Sequence, residues 1–183
     1  GAGGFFGPIL PNLVMPVARL YMRKMVGHLV LDAECDALNK ILDKAAESGE
    51  QLNLNLLGEA VLGEEEAKSR AERTLKLIQN PRVTYVSVKA SSMVAQLNHW
   101  DIDGSVERLK ERLRPLYQAA ADRTDKVFIN MDMEEYHDLH LTIRLFKELL
   151  SEPEFLTLDA GIVLQAYLPV SYTHLTLPTI YSV

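Results

Sequence analysis

The 183-residue chain is 48% apolar and 24% charged with a net charge of −6, the profile of an ordinary globular protein. That acidic balance excludes a general nucleic-acid binder, which needs a basic face, and no apolar run approaches the ~20 residues of a membrane span. Cys35 is the single cysteine, so no intrachain disulfide can form, and a reducing, cytoplasmic compartment is expected.

The opening, GAGGFFGPILPNLVMP, is punctuated by glycine and proline and predicts a linker. Residues 17–31, VARLYMRKMVGHLVL, predict a helix with mixed basic and apolar faces. Residues 1–31 contain Arg19, Arg23 and Lys24 and no acid, which leaves −9 on the remainder. Such a helix suits docking on the rest of the protein and, as a second reading, peripheral contact with the inner face of a membrane. Its basic residues follow the apolar start, the reverse of a secretory leader. A further helix carries Leu38, Ile41, Leu42 and Ala45 on one side and stops at Gly49, so residues 1–50 read as linker and helical arm.

From residue 52 the pattern is regular. LNLNLL predicts a strand, and the helix after it has acids in its first turn, Ala67, Ala71, Leu75 and Ile78 on one face, and Asn80-Pro81 at its end. VTYVSV is a β-branched strand. The next helix keeps Val106, Leu109, Leu113, Tyr117 and Ala120 in register, with Asp103 or Ser105 as its cap and Pro115 as a kink. KVFINM is a third strand, followed by a helix with Tyr136, Leu139, Ile143, Phe146 and Leu149 on one face. AGIVLQAY is a fourth. The order βαβαβαβ calls for an α/β fold, a parallel sheet covered by helices.

A doubly wound sheet and a barrel both satisfy that order. The strand ends favour the barrel: Glu59, Lys89, Asp132 and Gln165 each close an apolar run, and in (β/α)₈ barrels the active site gathers at the C-terminal ends of the strands. Four strands make half of such a TIM-type barrel, assigned to residues 51–169. Residues 170–183 are expected to be foreign. Val170 to Thr179, VSYTHLTLPT, look like the translation of a transposase-type sequencing adapter, GTC TCT TAT ACA CAT CTG ACG CTG CCG ACG.

LNLNLLGEAVLGEEEA, YVSVKASSM, INMDMEEY and GIVLQAYLP, in this order and spacing, resemble the proline dehydrogenase domain of bacterial bifunctional proline-utilisation proteins, and MVGHLVLDA resembles the segment that precedes their barrel. The resemblance covers residues 20–169. It implies a (β/α)₈ barrel that holds FAD noncovalently, oxidises L-proline to Δ¹-pyrroline-5-carboxylate and passes electrons to a membrane quinone. It implies that Lys89 helps hold the proline carboxylate, that Asp132 belongs to the hydrogen-bonded network beside substrate and flavin, that Glu59 pairs with a late-barrel arginine, and that Gln165 bonds the flavin's pyrimidine edge. The parent's second activity would be an NAD-dependent glutamate-semialdehyde dehydrogenase, of which no residue is present. The family's paired arginines and its flavin-contacting RLVKGAYW-type strand are absent from residues 1–169, so the fragment itself is expected to be inactive.

Plainer readings stand beside these. Lys89 could be solvated, Asp132 could cap the following helix, and Glu59 could favour the positive end of its own. His137 and His140 have helical spacing near Glu134 and Asp138, but they lie on a helix and no metal site is assigned to them. The competing readings of the whole are a different barrel enzyme sharing this half, or a non-enzymatic interaction module. The module predicts sharp thermal unfolding of soluble monomer, whereas a severed barrel with an open strand edge should aggregate or stay molten. Sequencing the source DNA outward from the codon of Tyr167 is expected to leave the adapter-like frame and continue into a KGAYW-like strand. A native gene reading VSYTHLTLPTIYSV and stopping there would overturn the assignment of the tail.

Overall fold

The computed structural model describes residues 9–26, 35–56, 61, 63–133, 135–165, 167 and 169. The chain divides after Ser48 into two units. The first contains helices α1 (Ile9–Val26) and α2 (Cys35–Glu47). Helix α1 thus begins within the stretch that reads as a linker. Pro11 falls in its first turn, where the missing N–H would have no intrahelical partner, and Pro16 removes a single ladder bond farther along. Residues 27–31 of the predicted helix lie outside the described residues. Val17, Leu20, Tyr21 and Met22 of α1 are exposed, and no described helix is long and apolar enough to cross a membrane. In α2, Leu38, Leu42 and Ala45 are buried, while Ile41 turns toward solvent. Gly49 follows with φ +74°, the left-handed conformation that ends helices and that glycine adopts without steric cost.

The second unit alternates strand and helix: β1 (Leu54–Asn55), α3 (Glu64–Gln79), β2 (Tyr85–Lys89), α4 (Ile102–Ala121), β3 (Phe128–Asp132), α5 (Leu139–Leu150) and β4 (Ala160–Val163). The strands are parallel and ordered β1-β2-β3-β4. Each new strand joins the same edge, whereas a doubly wound sheet reverses direction at a switch point. This is a fragment of a TIM-type barrel, as the strand ends predict.

Alternation along the strands explains why the sheet folds. Val86, Val88, Ile129 and Met131 are at most 1% exposed, as are Val106, Leu109, Leu113 and Tyr117 of α4. Burying one such side chain contributes ~1.5–3 kcal/mol. The ion pairs on the outer surface, among them Arg114 to Glu152 at 2.7 Å and Arg144 to Glu148 at 2.7 Å, are solvated, and each is weaker than one such burial. The apolar face therefore decides the fold. The ion pairs do set local charge: hydrogen bonds from Arg114 and Arg144 hold Glu152 and Glu148 below the usual carboxylate range.

Several predicted details move. In α3 the buried stripe is Ala67, Arg70, Ala71, Thr74, Leu77 and Ile78, with Leu75 only half-buried. Polar members hid the true face from the sequence: Arg70 reaches Glu66 at 3.1 Å and Thr74 Oγ1 donates to the Arg70 carbonyl at 2.9 Å. The cap of α4 is neither Asp103 nor Ser105 but Asp101, whose carboxylate accepts from Gly104 N at 3.0 Å. A β-carbon on Gly104 would stand 2.3 Å from Asp101 Oδ2, so a side chain there would make the capping carboxylate shift. Helix α5 starts at Leu139, leaving Tyr136 exposed on a preceding turn and Phe146 half-buried while Leu141 and Leu145 fill the core. Arg123, just past α4, donates to the carbonyls of Ile78, Asn80, Val83 and Pro81 at 2.8–3.2 Å, closing the C-terminal end of α3 onto the turn before β2.

Two expectations follow for stability. Arg123→Ala is expected to cost about 2 kcal/mol by urea unfolding, because several carbonyls lose a charged donor together, with Arg123→Lys restoring only part of it. Tyr117 is fully buried, its hydroxyl meets no hydrogen-bond partner, and burial pushes its phenol well above the ordinary value of 10.0. The unfolded chain therefore releases this proton first as pH rises, and stability present below pH 10 is lost above it. Tyr117→Phe is expected to gain about 1 kcal/mol at neutral pH and to flatten the alkaline fall in the unfolding midpoint.

Candidate functional site

Strands β2 and β3 pair in register from Tyr85↔Phe128 to Lys89↔Asp132. Since side chains alternate between faces, Tyr85, Ser87 and Lys89 share the inner face of the sheet with Phe128, Asn130 and Asp132. Asn55 stands level with Ser87, and Gly161 and Val163 of β4 stand level with Asn130 and Asp132. The inner face is thus layered. Tyr85 and Phe128 meet edge to face at a centroid distance of 5.0 Å at its base. Asn55, Ser87 and Asn130 form the middle, and Lys89 and Asp132 lie at the C-terminal rim.

Hydrogen bonds tie the layers together. Asn53 Nδ2 donates to Ser87 Oγ at 2.9 Å, and Asn130 Nδ2 donates to Ser87 Oγ at 3.3 Å and to Asp132 Oδ1 at 2.6 Å. Asn55 Nδ2 donates to Asp132 Oδ2 at 3.2 Å, across the intervening strand. Strands two apart in a sheet are separated by ~10 Å, so this contact requires an inner face that is concave, as in a barrel wall. Both oxygens of Asp132 accept from amide donors, which fixes the direction of its carboxylate. Gly161 leaves space in the same wall: a β-carbon there would lie 2.7 Å from Phe128 Cζ and 3.3 Å from Asn130 Oδ1.

The predicted residues are placed unequally. Lys89 and Asp132 end adjacent strands and are direct register partners, both half-buried. Among the described residues Asp132 caps no helix, and the amides of Asn55 and Asn130 donate to its oxygens. Gln165 is half-buried two residues beyond β4. Glu59 lies outside the described residues. Asn53, Asn55, Ser87 and Asn130 emerge only from the structure as parts of the site. Their signal was the alternation N-x-N, S-x-K and N-x-D inside otherwise apolar strands, a polar stripe on a face that a plain parallel core would fill with Val or Ile.

The rim is anchored from below. Met133, Leu139 and Ile143 form a buried cluster against Ile162 and Leu164, fixing the exits of β3 and β4 and the start of α5. A surface groove lies elsewhere, between α3 and α4, lined by Glu72, Leu75, Arg108, Glu111 and Arg112 among others and by no strand residue. Its mixed charges and lack of converging strand ends set it apart from the site.

Comparison with known proteins agrees with this geometry. The family model of proline dehydrogenase matches residues 38–178. Among solved structures, proline utilization A (PutA) from Corynebacterium freiburgense is 60% identical, with a TM-score of 0.80 over 92% of this chain and 18% of that one. PutA from Bdellovibrio bacteriovorus inactivated by N-propargylglycine is 30% identical, with a TM-score of 0.81 over 92% of this chain and 20% of that one. PutA from Bradyrhizobium japonicum shares the fold at 19% identity and a TM-score of 0.62, over 73% of this chain and 15% of that one. The chain spans about a fifth of the length of these proteins. No curated protein matches it.

Asn130→Asp tests the central contact. It replaces the donor 2.6 Å from Asp132 Oδ1 by a second carboxylate, and two carboxylates that close cannot both ionise. A loss of about 2 kcal/mol is expected at pH 7. The raised pKa of the pair makes the variant recover stability as pH falls toward ~4.5, where a shared proton replaces the lost donor. Equal stability of variant and parent at both pH values would show that the contact does not form in solution.

Proposed function

Because the chain belongs to the proline dehydrogenase family, we propose that residues 51–169 are part of a PutA-like proline dehydrogenase barrel that uses FAD to oxidise L-proline to Δ¹-pyrroline-5-carboxylate and delivers electrons to quinone. The parent would also carry an NAD-dependent glutamate-semialdehyde dehydrogenase. The observation that carries this reading is the rim pair: Lys89 level with Asp132, the aspartate held by Asn55 and Asn130. Proline is a zwitterion, and a fixed cation beside a fixed carboxylate is the complement of its two charges.

The polar inner face fits a flavin site in kind, since it places amide, hydroxyl and charged groups on a wall that the fold would otherwise fill with apolar side chains. A flavin, when bound, supplies the two-electron acceptor. The chain's own residues would do the positioning. Lys89 would engage the substrate carboxylate, Asp132 would balance the charge beside it, Glu59 would pair with an arginine of the later barrel, and Gln165 would bond the pyrimidine edge. Asn55 and Asn130 would keep the Asp132 carboxylate aimed while substrate enters. The basic helix α1 would allow peripheral contact with the inner face of the membrane, in keeping with a cytoplasmic enzyme that reduces quinone.

Four strands supply half of a barrel wall, so the fragment is expected neither to retain FAD through gel filtration nor to reduce a dye with proline; a yellow, flavin-loaded chain would refute its inactivity. For the site itself, residues 51–169 are grafted in place of the matching segment of the Corynebacterium freiburgense protein. Proline oxidation is expected to persist in the graft and to fall about 10²-fold in kcat/KM with Lys89→Ala, the worth of one charge-assisted contact. An active graft indifferent to Lys89→Ala would sink the assignment.

A further inference from the structure

Two rim loops bring together three groups that the site described above does not use. His99, in the loop after β2, and His137 and Asp138, in the turn before α5, have ligand atoms within 4.8 Å of one another. Both imidazoles address the same oxygen: His99 Nε2 lies 3.4 Å and His137 Nε2 3.8 Å from Asp138 Oδ1. The rings meet edge to face with centroids 4.6 Å apart. A simple ion pair needs one imidazole. Two imidazole nitrogens converging on one carboxylate oxygen are the donor set of a borderline cation.

We propose that His99, His137 and Asp138 bind a divalent transition-metal ion of the zinc class, which clips the two rim loops together. Tetrahedral ligands at bond lengths of about 2.1 Å lie ~3.4 Å apart, close to the two nitrogen–oxygen separations already in place. The ligands come from pinned segments. Asn98 N donates to Ser105 Oγ at 3.2 Å and Ser105 Oγ donates to the Asn98 carbonyl at 3.0 Å, which fixes the residue before His99 to the buried Ser105 of α4. Asp138 occupies the N-cap position of α5 without capping it, and its buried carboxylate faces the imidazoles. Glu135 Oε2, 3.1 Å from the same His137 Nε2, adds negative charge beside the site and would yield that nitrogen to the ion on binding. Three protein ligands leave a fourth position for water. His140, the second residue of α5 and exposed, is no part of the group and serves as a control.

The chain is stripped with a chelator and titrated with Co²⁺, then with Zn²⁺ in competition. One saturable equivalent is expected, with the visible bands of four-coordinate cobalt bleached by zinc. His99→Gln and His137→Gln are each expected to weaken binding at least about tenfold, the loss of one ligand, and His140→Gln to leave it unchanged. Diethyl pyrocarbonate modification of the unmutated chain, read by mass spectrometry, removes dependence on how the variants fold: Zn²⁺ should protect His99 and His137 and leave His140 reactive. No saturable equivalent, binding that survives both His99→Gln and His137→Gln, or equal protection of all three histidines would overturn the site.

Discussion

The pairing of β2 with β3 is the constraint on which the rest depends, because a side-chain period of two makes register an all-or-nothing matter. With Lys89 opposite Asp132, the apolar members Val86, Val88, Ile129 and Met131 face the helices and the polar members face inward. A slip of one residue would reverse both sets. The apolar side chains contribute ~1.5–3 kcal/mol each on burial and the individual polar contacts about 1 kcal/mol. The hydrophobic face thus sets the register, and the rim chemistry is carried into place by it.

The inner face also shows how a charged rim is held without being buried whole. Asn130 spends one amide group on two acceptors, Ser87 Oγ and Asp132 Oδ1, and Asn55 reaches the other carboxylate oxygen from two strands away. Both amides stand below the carboxylate, one residue pair deeper in the wall. Phe128 fills the space that Gly161 vacates, so the base of the wall is packed while its top is polar. Strand register, rather than loop conformation, aims the rim side chains.

The loops above the rim are ordered by short-range bonds of their own. Asp101 caps α4, Ser105 grips Asn98, and Ser92 Oγ donates to the Lys89 carbonyl at 2.8 Å, the first turn after the strand that ends in the rim lysine. His99 is therefore placed by the same loop that leaves β2, and His137 by the one that leaves β3. Rim and loops form consecutive layers built on the same two strands, which is why a metal clip between the loops would also limit how far the two strand ends can separate.

Much of this was legible in residue order. The alternation of β-branched runs with amphipathic helices determined a parallel α/β unit, and the polar ends of two of the runs placed Lys89 and Asp132 at the ends of adjacent strands. The four family motifs, quoted from the sequence, named the family that the comparisons then showed. What the sequence could not yield were contacts made across strands: the Asn55–Asn130–Asp132 network, the Arg123 clasp on four carbonyls, the Asp101 cap chosen over Asp103 and Ser105, and the meeting of His99 with His137 and Asp138. Periodicity reports which face of an element is buried, because that depends on local geometry alone. Which polar groups meet depends on register and on the curvature of the sheet, and those are settled only when the apolar faces pack.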